Sequence, residues 1–204
     1  MTTALLAYIE YGEITLQQIQ FIEKLMLLDE SIIAGSQIKI CSLPYFKQKS
    51  IDVLIRHIRT YNPRVVIIVD YNFESVEFTI ERIALNMDDY DTTDAEGNCA
   101  DEQPIVALGA SGFWSTLPIK SIYQVLIKNN FPVSVSNSAG TFIGNHVFYK
   151  LMHFLEKRRK IRGGLIKVPQ SGMNLDLIIK GLELVLATAL TIDIDAKIGA
   201  GKLT

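Results

Sequence analysis

Residues 64–69 read RVVIIV, five consecutive β-branched apolar residues after an arginine. A run this short and this uniformly apolar marks a strand buried on both faces, as in the centre of a parallel sheet. The neighbouring segments agree. Upstream, residues 37–43 read as a strand, and Ser50 is placed to cap a helix whose apolar face is Val53, Leu54, Ile58 and Tyr61. Further upstream, residues 4–9 (ALLAYI) form a buried-strand run, and residues 15–27 carry helical periodicity with Thr15 and Gln18 spaced as a capping box. Downstream, helix is expected over 118–128, 142–155 and 175–190, and strand over 132–136 and 165–168. Strands alternating with helices imply an α/β fold of three layers, α/β/α, with a mostly parallel, twisted central sheet.

The 204 residues fit one compact domain, and no Pro/Gly-rich linker or internal repeat interrupts them. Hydrophobic residues make up 49% and charged residues 21%, and the net charge is -2, so nucleic acid is not an expected partner. The N-terminus has no signal-peptide pattern. The longest apolar run, residues 184–192, falls short of the roughly 20 residues of a membrane span. A cytoplasmic protein without membrane contact is expected. Cys41 and Cys99 lie in a strand and an acidic stretch respectively, and read as free thiols.

Two charged stretches stand apart. Residues 88–102 (DDYDTTDAEGNCADE) hold seven acids and no base. They lack the glycine and glutamate spacing of a calcium loop, and a solvated loop is preferred over a metal site. Residues 157–160 with Arg162 form a basic run at a helix end, where cations complement the helix dipole. His146 and His153 sit seven apart on one helix without a carboxylate at ligand spacing; packing or surface placement is preferred over metal, and His57 is read as a surface residue.

Three blocks carry a family resemblance: TIERIALNMDDYDTTDAEGN from Thr79, ADEQPIVALGASGFWSTLPIKSI from Ala100, and SNSAGTFIGNHVFY from Ser136. The chain resembles the pyroglutamyl peptidase I family, also called pyrrolidone carboxyl peptidases, cysteine peptidases that remove an N-terminal pyroglutamate. WSTLP is kept at 114–118, and the third block is similar to the nucleophile motif SNTAGTFVCNHVMY. The resemblance places the three catalytic positions at Glu81, Gly144 and Lys167. Glu81 keeps its type, whereas glycine stands for the cysteine and lysine, in LIKVP, for the histidine of FIHVP.

A thiol–imidazole pair works because the imidazole takes the thiol proton near neutral pH and returns it to the leaving amine. Glycine offers no nucleophile. Lysine, with an ordinary pKa of about 10.4, is a poor base at neutral pH. The family's GQAGGR falls on Asp70, Tyr71, Asn72, Phe73, Glu74 and Ser75, and its GFEPFGG on AYIEYGE, with Ile9 and Tyr11 nearest the two phenylalanines. Phe142 keeps its aromatic type, and Asp94 matches an acid in the family's PDNEG. Ile9, Tyr11, Tyr71 and Phe142 are the expected ligand-binding positions, with no metal and no cofactor. Gly144 marks either an abandoned site or a close approach by ligand or backbone. Lys167 and Glu81 form either an ion pair or a new amine-based site. Ser138 and Thr141, the hydroxyls beside the turn, do not occupy the nucleophile's position.

The simultaneous loss of nucleophile, base and recognition loop points to a pseudoenzyme that has lost the family's peptidase activity and holds a small-molecule or peptide ligand, or a partner, in a vestigial cleft. The resemblance implies a homo-oligomer, dimer or tetramer, and leaves room for mixed assembly with an active homologue. The alternative is a diverged enzyme acting on a small amide or carbonyl compound, with Lys167, Glu81 and Tyr71 in new roles.

Overall fold

The computed structural model describes residues 2–11, 15–71, 75–90, 97 and 99–200. Gly12, Glu13, Asn72, Phe73, Glu74, Asp91, Asp94, Glu96 and Asn98 lie outside the described residues. A seven-stranded sheet is built from β1 (Thr2–Glu10), β2 (Ile32–Ile33), β3 (Ser36–Pro44), β4 (Val65–Asp70), β5 (Phe78–Glu81), β10 (Val133–Ser136) and β11 (Arg162–Lys167). Its order is β10-β5-β11-β4-β1-β3-β2. The four central strands β11, β4, β1 and β3 are parallel. β5 runs antiparallel to β11 and carries β10 parallel to itself, and β2 closes the other edge antiparallel to β3. Two small ribbons stand outside the sheet: β6 (Ile83–Leu85) with β9 (Gly112–Trp114), and β7 (Asp88–Tyr90) with β8 (Ala100–Gln103).

The helices divide between the two faces because successive strand residues point to opposite sides. Val65, Ile67 and Val69 of β4 pack with α1 (Leu16–Met26), α3 (Ile119–Lys128) and α5 (Leu175–Thr191). Val66 and Ile68 pack with α2 (Lys47–Tyr61) and α4 (Ile143–Leu155). The fold is thus the expected α/β/α arrangement with a mostly parallel sheet. Thr15 caps α1 with the full reciprocal box to Gln18. The helix packing is close: a Cβ on Gly181 of α5 would stand 2.3 Å from Phe78 Cζ on β5.

Several local expectations are corrected. Ser50 does not cap α2, which begins at Lys47; its buried hydroxyl bonds the carbonyl of Pro44 from within the helix. Residues 88–102 are not simply a solvated loop, since β7 and β8 pair across them and Asp88 is buried. Arg162 does not serve α4. It lies in β11 and donates to the carbonyls of Ala189 and Ile192, capping the C-terminal end of α5. His57 is half-buried beside the ring of Tyr61.

Candidate functional site

Three strands end side by side beneath the start of α4, and each ends in a charge. Asp70 closes β4, Lys167 closes β11, and Glu81 closes β5. Asp70 and Lys167 are register partners, and Lys167 lies opposite Thr79 of β5, two residues before Glu81. Alternation then places all three on one face: Ile68 and Leu165, two residues before Asp70 and Lys167, both pack in the α4-side core. The result is a row of carboxylate, ammonium and carboxylate across three neighbouring strands.

The ammonium of Lys167 lies 3.0 Å from Glu81 Oε1 and donates to the carbonyl of Ala139 at 3.3 Å. Glu81 is 1% exposed. Burial pushes its carboxyl above the usual range; Lys167 and the Ser136 hydroxyl oppose that shift, and the charge of Asp70 adds to it. Lys167 thus serves Glu81 as an ion-pair partner, the first of the two arrangements open to it from sequence.

Gly144 is the second residue of α4, buried in the helix's first turn after Phe142. A Cβ at this position would stand 2.8 Å from Asp70 Oδ2. Asp70 is itself 1% exposed, and its Oδ1 accepts a hydrogen bond from the Tyr11 hydroxyl at 2.8 Å. The space into which a side chain at 144 would grow is therefore taken by a carboxylate. The place suits an anion, because free N–H groups and the positive end of the helix dipole gather there. The neighbour at Gly144 is a side chain of the same molecule, neither the ligand nor the backbone that the sequence suggested.

Ile9, Tyr11 and Phe142 gather on this side of the sheet. Ile9 and Tyr11 are buried in the α4-side core. Tyr11 leads through Tyr45 to Phe142 and on to Tyr90, with ring centroids 5.1, 5.8 and 4.7 Å apart. Tyr71 lines one small cavity with Ile9 and Tyr11, but its ring does not enter the aromatic row. Following Asp70, it turns to the opposite face, where its ring stacks on Phe21 of α1 at 4.2 Å. A single step in strand register separates the two destinations.

Other residues fasten the site. Asn145, fully buried, accepts from the Leu85 N–H at 2.8 Å and donates to the carbonyls of Leu85 and Met87. His146 Nδ1 lies 2.9 Å from Asp88 Oδ2, and Lys47 reaches the same oxygen at 3.1 Å. His146 is thus packed and paired, whereas His153 is exposed. No group of three metal-ligating side chains occurs among the described residues. Cys41 is buried, and burial pushes its thiol up to about 12, far from a reactive thiolate; Cys99 is exposed. No helix of the described residues is long and apolar enough to cross a membrane.

Sequence reasoning named Asp70 only as part of the altered loop and gave Asn145 no role. A signal existed for Asp70: an acid ending a run of five buried apolar residues must find a partner or a dipole. For Asn145 the signal was its place at the start of a mostly apolar helix, where a buried amide must be satisfied.

Comparison with known proteins agrees with the architecture. The family model described as pyroglutamyl peptidase matches residues 14–190. A pyrrolidone-carboxylate peptidase of Bacillus cereus is 39% identical, the match covering 82% of this chain and 84% of the relative. One from Vibrio campbellii is 34% identical, over 89% of this chain and 90% of the relative. Among solved structures, pyroglutamyl peptidase I from Bacillus amyloliquefaciens superposes with a TM-score of 0.88 at 28% identity, covering 96% of this chain and all of that one. Pyrrolidone carboxyl peptidase from Thermococcus litoralis gives 0.89 at 25% identity over 98% of this chain. With the family model spanning most of its length and relatives well above 30% identity, the chain belongs to the pyroglutamyl peptidase family.

Proposed function

We propose that this chain is a family member without peptidase activity, a cytoplasmic single-domain homo-oligomer whose altered cleft serves binding of a small ligand or a partner. The observation that carries this reading is the carboxylate of Asp70 at the position a side chain on residue 144 would need. Hydrolysis through a covalent intermediate requires a nucleophile at the helix start and a base that is neutral near pH 7. Glycine supplies neither atom nor proton. The lysine that stands for the base is engaged by Glu81 and by the Ala139 carbonyl. What remains is a site that fixes charges, which suits recognition better than turnover. The same ion pair weighs against an amine nucleophile at Lys167, because a neighbouring carboxylate favours the protonated form.

The test is hydrolysis of pyroglutamyl-7-amido-4-methylcoumarin against a heat-inactivated control. No turnover is expected; turnover that disappears in Glu81→Ala would overturn the reading. The double variant Gly144→Cys with Lys167→His is expected to stay inactive, since Asp70 still fills the space beside the new thiol. Activity in that variant would mean that the cleft is intact and only its chemistry was exchanged. Native mass spectrometry reports oligomer size and any retained ligand in the same experiment.

A further inference from the structure

A second surface lies at the opposite end of α4, roughly 16 Å from Gly144 at 1.5 Å per residue. There α2 and α4 pack side by side, and shallow depressions run between and below them. Arg56 and Arg59 on α2, Lys150 on α4 and the cations at 157–160 border these depressions. None of them forms an ion pair among the described residues. Elsewhere Lys24, Lys39, Arg64 and Lys180 on the surface each have a carboxylate within 4 Å. Dipole capping accounts for only part of the cluster: Arg158 donates to the Phe154 carbonyl, while Lys157, Arg159 and Lys160 point into solvent without such a bond. So many unpaired cations on a protein with a net charge of -2 make a local field that the whole molecule does not share.

We infer that the α2–α4 groove is a docking surface for an acidic, amphipathic segment of a partner polypeptide. The carboxylates of such a segment would meet the bordering cations, and its apolar residues the groove floor at Ile51 and Ile55. A cleft between two helices is the shape that accepts an amphipathic helix. A nucleic acid fits less well. One face of the Phe154 ring is already covered by the Arg158 guanidinium at 3.8 Å, which takes the stacking position a base would use there. The surface is separate from the Asp70 cleft, so the two readings stand or fall independently.

The experiment is fluorescence anisotropy of the full chain with a fluorescein-labelled 15-residue helical peptide of Glu and Leu. A Lys/Leu counterpart and a 15-nucleotide oligo-deoxythymidine serve as comparisons. The acidic peptide alone should bind, about tenfold or more weakly when salt rises from about 50 to about 500 mM. Arg56→Glu with Lys157→Glu should weaken it roughly tenfold or more, and Lys128→Glu on the opposite layer should leave it unchanged. If circular dichroism shows the double reversal unfolded, Arg59→Gln with Arg159→Gln replaces it, with the same loss expected. The inference is overturned by no binding of the acidic peptide, by equal binding of the Lys/Leu peptide, by tighter binding of the oligonucleotide, or by affinity that ignores the folded variants.

Discussion

Gly144→Ala is a substitution whose sign depends on one other residue. Two opposing effects act at this position. Alanine in a helix is favoured over glycine by about 0.5–1 kcal/mol. Against that, the new Cβ would lie 2.8 Å from Asp70 Oδ2, about 0.6 Å inside the 3.4 Å at which ordinary contact begins. Asp70 has a short side chain, 1% exposed and held by Tyr11, so it cannot swing aside cheaply. Overpacking of this kind costs about 1–3 kcal/mol. The single variant should therefore lose up to about 2.5 kcal/mol, a fall of roughly 2–4 °C in Tm for each kcal/mol in a chain of this size. In an Asp70→Ala background the clash is absent, and the same change should be neutral or stabilising by up to about 1 kcal/mol. A double-mutant cycle by urea denaturation isolates the coupling, about 1–3 kcal/mol, because whatever else Asp70→Ala removes cancels between the two arms. Additivity to within about 0.5 kcal/mol would refute the account of Asp70 as occupant of that space.

Two further tests address the same layers. Because burial holds the Glu81 carboxyl above its ordinary 4.5, the fold favours the protonated form. Its contribution is therefore full below about pH 4.5 and declines as pH climbs through the raised folded value. The stability of the natural chain relative to Glu81→Gln should accordingly fall as pH rises above the ordinary 4.5; a difference independent of pH would contradict this. Gly181→Ala would drive a Cβ to 2.3 Å from the Phe78 ring and should cost about 1–3 kcal/mol. The loss should shrink when Phe78→Leu is added, which thermal unfolding would register.

The order of buried strands and helices was legible because central parallel strands are apolar on both faces and stand out from amphipathic helices. RVVIIV is the clearest case. The antiparallel edge was not legible. β5 is four residues long, FTIE, and its partner strands lie more than fifty residues further along the chain. Ser50 was misread because a hydroxyl near a helix start satisfies a cap rule equally well from inside the helix, where it bonds back to a preceding carbonyl. Asp88 opens an acidic run that reads as solvated, and it is buried only because Lys47 and His146 arrive from other elements. The catalytic-type positions came from resemblance, whereas the meeting of Asp70 with Gly144 depends on β4 ending beneath α4. No local pattern encodes that meeting.

The amide of Asn145 has a consequence for how this protein could change over time. Its three hydrogen bonds tie the first turn of α4 to the β6 backbone and to Met87, one position away from Gly144. The anchoring of the helix start is thereby separated from the identity of the residue that faces the sheet charges. A lineage could exchange that residue, and its partner at the end of β4, without loosening the helix. The hold that the amide at 145 exerts on the helix start does not depend on which residue stands at 144.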